Sequence, residues 1–225
     1  TLSLLEKHGA TGFCAPPTAY RMLVLEDLSK YNLDNLRHCT GAGEPLNPEV
    51  MKQWEDGTGL VIYDGYGQTE TVLLVANYRA IPVKPGSMGK PTPGAEIAIV
   101  DEDGEVLPPG QEGQIAVKVK PNRPVGLFRE YWKAPDAMAS SFQGDWYLTG
   151  DKASMDEDGY FWFIGRADDV IISAGYRIGP FEVESALIEH PAVAESAVVA
   201  SPDPVRGDVV KAFVVLAPGY VESDE

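Results

Sequence analysis

The sequence predicts an α/β fold in three parts. A layered α/β part covers residues 1–80, a β-rich, barrel-like section covers 81–167, and the start of a small α+β domain covers 168–225. Three observations support this. The first seventy residues alternate short apolar runs with helical patterns. From Ile81 to Ile164 the runs shorten and are broken by Pro, Gly and Asp. After Arg166 a strand, a glycine turn, a helix and two further strands follow.

Thr11 to Ala15 reads as a short strand, and Pro16-Pro17 then opens a helix through Leu28, because proline is tolerated in a first turn. Leu36 to Thr40 is a strand running into Gly41-Ala42-Gly43-Glu44-Pro45. Asn47 caps the next helix, with Pro48 at its first position and its end near Gly57. Leu60 to Tyr63 is a further strand. It places Asp64-Gly65-Tyr66-Gly67-Gln68-Thr69-Glu70 at a carboxyl end, where open α/β sheets bind ligands. In the β-rich section Asp103-Gly104 and Asp158-Gly159 are hairpin signals. The repeated Asp-Glu-Asp-Gly at Asp101 and Asp156 is one turn chemistry used twice. The last part holds a strand at Val170 to Ser173, a helix from Pro180 to His190-Pro191, and strands at Ser196 to Ala200 and Val209 to Leu216. The boundary falls at Ala167-Asp168 with no low-complexity linker, so the two sides are expected to share an interface.

Composition narrows the partners. The 225 residues carry a net charge of -16, which argues against nucleic acid or an anionic membrane surface as the main partner. A hydrophobic fraction of 44% and a charged fraction of 23% suit a globular protein. No apolar run approaches the ~18 residues of a membrane span, and Thr1 to His8 has none of the features of a secretory leader. The chain starts without Met, which leaves room for a longer polypeptide. Cys14 and Cys39 have no Cys-x-x-Cys spacing and His8, His38 and His190 are scattered, so a zinc site is not expected. Both thiols read as buried residues of a reducing compartment.

Three stretches carry chemistry. In Tyr66 to Glu70 a phenol can stack on a purine and glycine lets backbone approach a ligand. The threonine hydroxyl can donate to a phosphate oxygen, and the carboxylate suits a hard Mg²⁺ ion. The same residues alone read equally well as a strand end with a core tyrosine and a capping threonine. Gly41 to Pro45 lacks the third glycine of a dinucleotide fingerprint, and fits either a close-approach loop along adenine or a plain turn. Asp151, ending Tyr147-Leu148-Thr149-Gly150-Asp151, can accept from both hydroxyls of a ribose, while Arg166 can donate to ribose or phosphate. Taken singly, these two read as a loop aspartate and a surface arginine. Gly86-Ser87-Met88-Gly89-Lys90-Pro91-Thr92 imitates a phosphate loop but has the wrong spacing, and Pro91 disfavours helix at Lys90, so a turn is expected.

Together these residues give a resemblance. From His8 through Leu216 the chain is similar to the acyl-CoA synthetases of the adenylate-forming, AMP-binding superfamily, most closely the medium-chain branch. Asp64 to Glu70, Asp151, Gly165 through Glu184 and Ser201 to Gly207 carry it. The resemblance implies that a carboxylic acid, medium-chain or branched, is activated by ATP to an acyl-adenylate and passed to the thiol of coenzyme A. It implies an adenine loop at Gly43, Glu44 and Pro45, and an adenylate site along Asp64, Gly65, Tyr66, Gly67, Gln68 and Thr69. Thr69 would meet the α-phosphate, Glu70 would hold Mg²⁺, and Asp151 and Arg166 would take the ribose. Asp168 would be the hinge of a mobile C-terminal domain. Ala174, Gly175 and Tyr176 would border the pantetheine tunnel, and Arg177 and Arg206 would meet coenzyme A phosphates.

The family's glycine-rich triphosphate loop would lie before Thr1 and its distal lysine after Glu225, Lys211 being no match. Residues 1–225 are therefore expected to be a fragment inactive by itself. Rival readings are an adenylate-forming enzyme with a carrier-protein acceptor or a light-emitting reaction, and a non-catalytic nucleotide-binding module. The expected compartment is the cytoplasm, or an organelle matrix if a targeting segment precedes Thr1. The acyl group and the oligomeric state are not legible in the sequence.

Overall fold

The computed structural model describes residues 1–222. After α1 (Leu2–His8), three parallel strands, β1 (Gly12–Ala15), β2 (His38–Ala42) and β3 (Ile62–Gln68), alternate with α2 (Pro17–Leu23) and α3 (Pro48–Thr58). β4 (Val72–Ala76) extends this sheet antiparallel to β3, and β5 (Lys90–Pro91) follows antiparallel to β4. Asn47 caps α3 through its side-chain oxygen, which accepts from Glu49 N, with Pro48 in the first turn.

Alternation across this sheet sets its two faces. The register aligns Phe13, Cys39 and Ile62 on one face, and Cys14, Thr40 and Tyr63 on the other. Helices α2 and α3 cover the first face with Tyr20 and Trp54. Their rings meet edge-on at 5.1 Å, and Trp54 stacks on Phe13 at 6.1 Å. Burying two such rings contributes about 4–6 kcal/mol each before conformational entropy is subtracted. Cys14 lies on the second face and is exposed, which corrects the expectation of two buried thiols; Cys39 is buried.

Helix α2 is shorter than the sequence suggests and stops at Leu23. Asp27 accounts for this: its carboxylate accepts from Ser29 N and Ser29 Oγ at 3.2 and 2.6 Å, forming a separate 3-10 turn at Leu28–Lys30.

The β-rich section is an antiparallel sheet in the order β10 (Phe161–Arg166), β9 (Trp146–Met155), β7 (Glu112–Lys118), β6 (Ile97–Val100), with β8 (Phe142–Gln143) on β9. Its inner face, including Ile99, Ile115, Val117, Tyr147 and Phe161, packs on Leu74 and Val75 of β4. A short helix, α4 (Pro135–Ser140), precedes β8. In both Asp-Glu-Asp-Gly turns the first aspartate's Oδ1 accepts from the backbone N–H two and four residues on. The distances are 2.9 and 2.9 Å at Asp101, and 3.0 and 2.9 Å at Asp156. The second turn joins β9 directly to β10. The first does not join β6 to β7, because a second turn at Pro108–Gly110 intervenes.

The remaining strands form a third sheet, ordered β12 (Tyr176–Ile178), β11 (Ile171–Ser173), β14 (Gly207–Leu216), β13 (Val193–Asp203). Helix α5 (Pro180–Ile188) lies between this sheet and β10. Phe181 meets Phe163 edge-on at 6.4 Å, and a Cβ on Gly179 would stand 2.5 Å from the Ile164 carbonyl oxygen. Asn47 Nδ2 also donates to Ser185 O at 3.3 Å. The segment expected to act as a turn before β5 does so: Ser87 is buried, and a Cβ on Gly89 would stand 2.0 Å from the Ala76 carbonyl carbon.

Candidate active site

The Asp64 to Glu70 stretch does not begin after a strand but is largely part of one, because β3 runs through Asp64 to Gln68 before turning at Thr69-Glu70-Thr71. The ladder with β4 explains the extension. It shifts register between Tyr66 and Gly67, a bulge at which a Cβ on Gly67 would stand 1.9 Å from Val72 O. Val72, a β-branched residue, is held at φ 55, which concentrates backbone strain beside this turn. Thr71, buried and not foreseen from the sequence, ties the turn by accepting from Gln68 N at 3.0 Å and donating to Val72 O at 3.0 Å.

The bulge aims Tyr66 and Gln68 at Asp151, 85 and 83 residues away in sequence. Tyr66 donates its hydroxyl to Asp151 Oδ2 at 2.6 Å, and Gln68 Nε2 donates to the same oxygen at 2.7 Å and to Thr149 O at 2.9 Å. Asp151 therefore has one oxygen engaged and Oδ1 left for a ligand. Burial raises the Asp151 carboxyl above its ordinary range, an effect that the Tyr66 hydrogen bond and the Arg166 charge oppose.

Gly43 to Pro45, Asp64 to Gln68, Asp151 and Arg166 all line one cleft of about 310 Å³, together with Met88 and Phe163. A neighbouring cleft of about 530 Å³ shares Gln68 and Arg166, and holds Thr69, Glu70 and Tyr131. Glu44 turns its carboxylate out of the first cleft to Thr18 Oγ1 at 2.7 Å and Arg21 Nη2 at 3.1 Å, anchoring its loop to α2. Asp64 is buried with Oδ1 unpartnered among the described residues. Burial pushes its carboxyl up to about 7, with only the Gly65 N–H acting the other way. Arg166 Nε pairs with Asp168 at 3.1 Å, and both side chains are exposed.

Ala174, Gly175, Tyr176, Arg177 and Arg206 lie elsewhere. Ala174 and Gly175, at φ 49 and 86, form the two-residue turn between β11 and β12. Ala174 N donates to Arg206 O at 2.9 Å, so that turn and the Arg206 loop are neighbours. Arg177 lines a separate cleft of about 600 Å³ with Lys152 and the acidic turn at Asp101 to Asp103. None of the five lines either cleft that holds the β3 motif.

A β3 motif, a distant aspartate and an arginine converging at one end of a parallel-stranded sheet, with a small α+β module beside them, define an AMP-binding class of enzyme. The chain belongs to the AMP-binding enzyme family: the family's main model matches residues 1–132, and the model of the AMP-binding enzyme C-terminal domain matches residues 182–225.

The acyl-coenzyme A synthetase ACSM3, mitochondrial, of Rattus norvegicus is 61% identical over 224 residues, covering 100% of this chain and 39% of that protein. The human acyl-coenzyme A synthetase ACSM4, mitochondrial, is 60% identical over 216 residues, covering 96% of this chain and 37% of that protein. The chain thus spans about two fifths of the length of these relatives. Among solved structures, the anthranilate CoA ligase AuaEII in complex with anthranoyl-AMP superposes with a TM-score of 0.91 at 38% identity, covering 99% of this chain and 42% of that one. ATP-bound MatB from Rhodopseudomonas palustris gives 0.90 at 31% identity, covering 99% and 44%.

Proposed function

We propose that the protein carrying this chain is an ATP-dependent acyl-CoA synthetase acting on a medium-chain or branched carboxylic acid. The acid's carboxylate attacks the α-phosphorus of ATP, pyrophosphate leaves, and the coenzyme A thiol then attacks the acyl-adenylate and releases AMP. The observation that carries this reading is Asp151: a carboxylate with Oδ2 held by Tyr66 and Gln68, lining a cleft shared with Arg166 and the Gly43 to Pro45 loop. Its relatives, named as acyl-coenzyme A synthetases, support the acceptor.

In this proposal Tyr66 offers its ring face to adenine and its hydroxyl to Asp151. Asp151 and Arg166 take the ribose, and Thr69 meets the α-phosphate. The protein's part is positioning and charge stabilisation. A Mg²⁺ ion fits Glu70 by donor chemistry. Among the described residues no cluster of three His, Cys, Asp or Glu could hold a metal alone, and a single half-buried carboxylate beside nucleotide phosphates is a usual Mg²⁺ arrangement. Bound there, the ion would offset phosphate charge.

The domain limits proposed are 1–80 and 81–167 within the AMP-binding domain, with a mobile domain from 168. Placement of Ala174 to Arg177 and Arg206 away from the nucleotide clefts supports a hinge at Asp168 that brings them in for thioester formation. No helix of the described residues is long and apolar enough to cross a membrane. The relatives named as mitochondrial favour an organelle matrix over the cytoplasm. Incubating the full-length polypeptide with ATP, Mg²⁺, free coenzyme A and straight and branched acids of graded length tests the function: acyl-CoA and AMP should form in equal amounts. Acyl-adenylate that accumulates without thioester would reject coenzyme A as acceptor.

A further inference from the structure

Two tyrosines outside the β3 motif reach its Gln68 and Glu70 side chains. Tyr147 precedes Asp151 by four residues on β9 and is almost wholly buried, and the β7–β9 ladder shifts register between them, at Gly150 with φ 78. The Tyr147 hydroxyl donates to Gln68 Oε1 at 3.4 Å. That contact, with Thr149 O and Asp151 Oδ2 both accepting from Nε2, leaves one orientation for the Gln68 amide. Tyr131, in the segment between β7 and α4, donates to Glu70 Oε1 at 3.1 Å. The segment is fastened to the β3–β4 turn by Phe128 N, which donates to Glu70 O at 2.6 Å. The Phe128 ring neighbours both tyrosines, 4.6 Å from Tyr131 and 5.5 Å from Tyr147.

We infer that Tyr131 and Tyr147 are positioning residues that hold Glu70 and, through Gln68, Asp151, so that each carboxylate presents one chosen oxygen to a purine ribonucleotide and its divalent cation. Glu70 Oε1 and Asp151 Oδ2 are engaged by the protein, which leaves Glu70 Oε2 and Asp151 Oδ1 for the ligand. The inference rests on the nucleotide reading of the cleft given above. Charge-assisted hydrogen bonds orient a carboxylate more firmly than neutral ones. The bond from Tyr147 is long for O–H···O and is the weakest link of the array.

The test is nucleotide binding to the full-length polypeptide by calorimetry, with melting temperature recorded for every variant. Tyr147→Phe should raise the AMP Kd about three- to fivefold, and Gln68→Met, which removes both amide donors to Asp151 and Thr149, about tenfold. Tyr131→Phe should raise the Mg²⁺ concentration needed for half-maximal ATP binding about three- to fivefold. A purely structural role would lower the melting temperature and leave these constants in place. AMP affinity unchanged within about twofold in a folded Tyr147→Phe overturns the Asp151 arm, and an unchanged Mg²⁺ requirement in Tyr131→Phe overturns the Glu70 arm. Asp151→Ala separates the two levels: if it too binds AMP like the parent, the nucleotide reading itself fails. Should Tyr147→Phe not fold, Gln68→Met decides the Asp151 arm and Tyr131→Phe the Glu70 arm.

Discussion

Asp64→Asn should stabilise the protein at neutral and alkaline pH and leave it little changed near pH 4. Asp64 is 6% exposed and its Oδ1 has no partner among the described residues. Burial raises the carboxyl from 3.8 to about 7. Between those values the folded chain holds a proton that the unfolded chain has lost. The stabilisation from that proton is fully present below about pH 4 and is lost as pH rises through 7. A shift of roughly three units at 1.36 kcal/mol each makes the loss about 4 kcal/mol, an upper figure because burial relaxes as charge appears. Asparagine keeps the shape and removes the charge. Urea titrations at pH 5, 6, 7 and 8, followed by fluorescence of the buried Trp54, should show parent and variant diverging as pH rises. Parallel stability curves across that range would refute the desolvation argument.

Gly67→Ala should cost about 3 kcal/mol or more, because its Cβ would stand 1.9 Å from the Val72 carbonyl oxygen in the β3–β4 bulge, and a fall in urea midpoint would show it. Gly179→Ala should loosen α5 from β10, since the new methyl would stand 2.5 Å from Ile164 O; trypsin cleavage after Arg166 should accelerate with little loss of helix signal. Residues 1–225 produced alone should give no ATP–pyrophosphate exchange above background, and measurable exchange would show that the chain needs no triphosphate loop from elsewhere in the polypeptide.

The layered α/β part was legible because its signals are local. Asn47-Pro48 starts α3, and the alternation of apolar runs sets β1 to β3. What escaped depends on distant partners. Asp64 to Gln68 holds two glycines and does not look like a strand, yet Asn77 N, donating to Asp64 O at 2.8 Å, and the β4 ladder keep it extended. The early stop of α2 follows from Asp27 bonding Ser29 in preference to continuing a helix, a competition the apolar pattern does not record. Cys14 looked like a core thiol by residue type, and only the strand register shows that it faces away from Tyr20 and Trp54. In the candidate site, the β3 motif, Asp151 and Arg166 were visible as residue types. Tyr131 and Tyr147 were not, because 61 residues separate Tyr131 from Glu70 and 79 separate Tyr147 from Gln68.

The central claim is that the cleft at Asp151 binds the ribose of a nucleotide. The most direct measurement compares AMP and carboxylic acid binding to the full-length polypeptide and its Asp151→Ala variant. Loss of a charged acceptor predicts an AMP Kd raised about 10- to 100-fold, with the acid's Kd changed by less than about threefold. Equal losses for both ligands, or an AMP Kd that does not move, would contradict it.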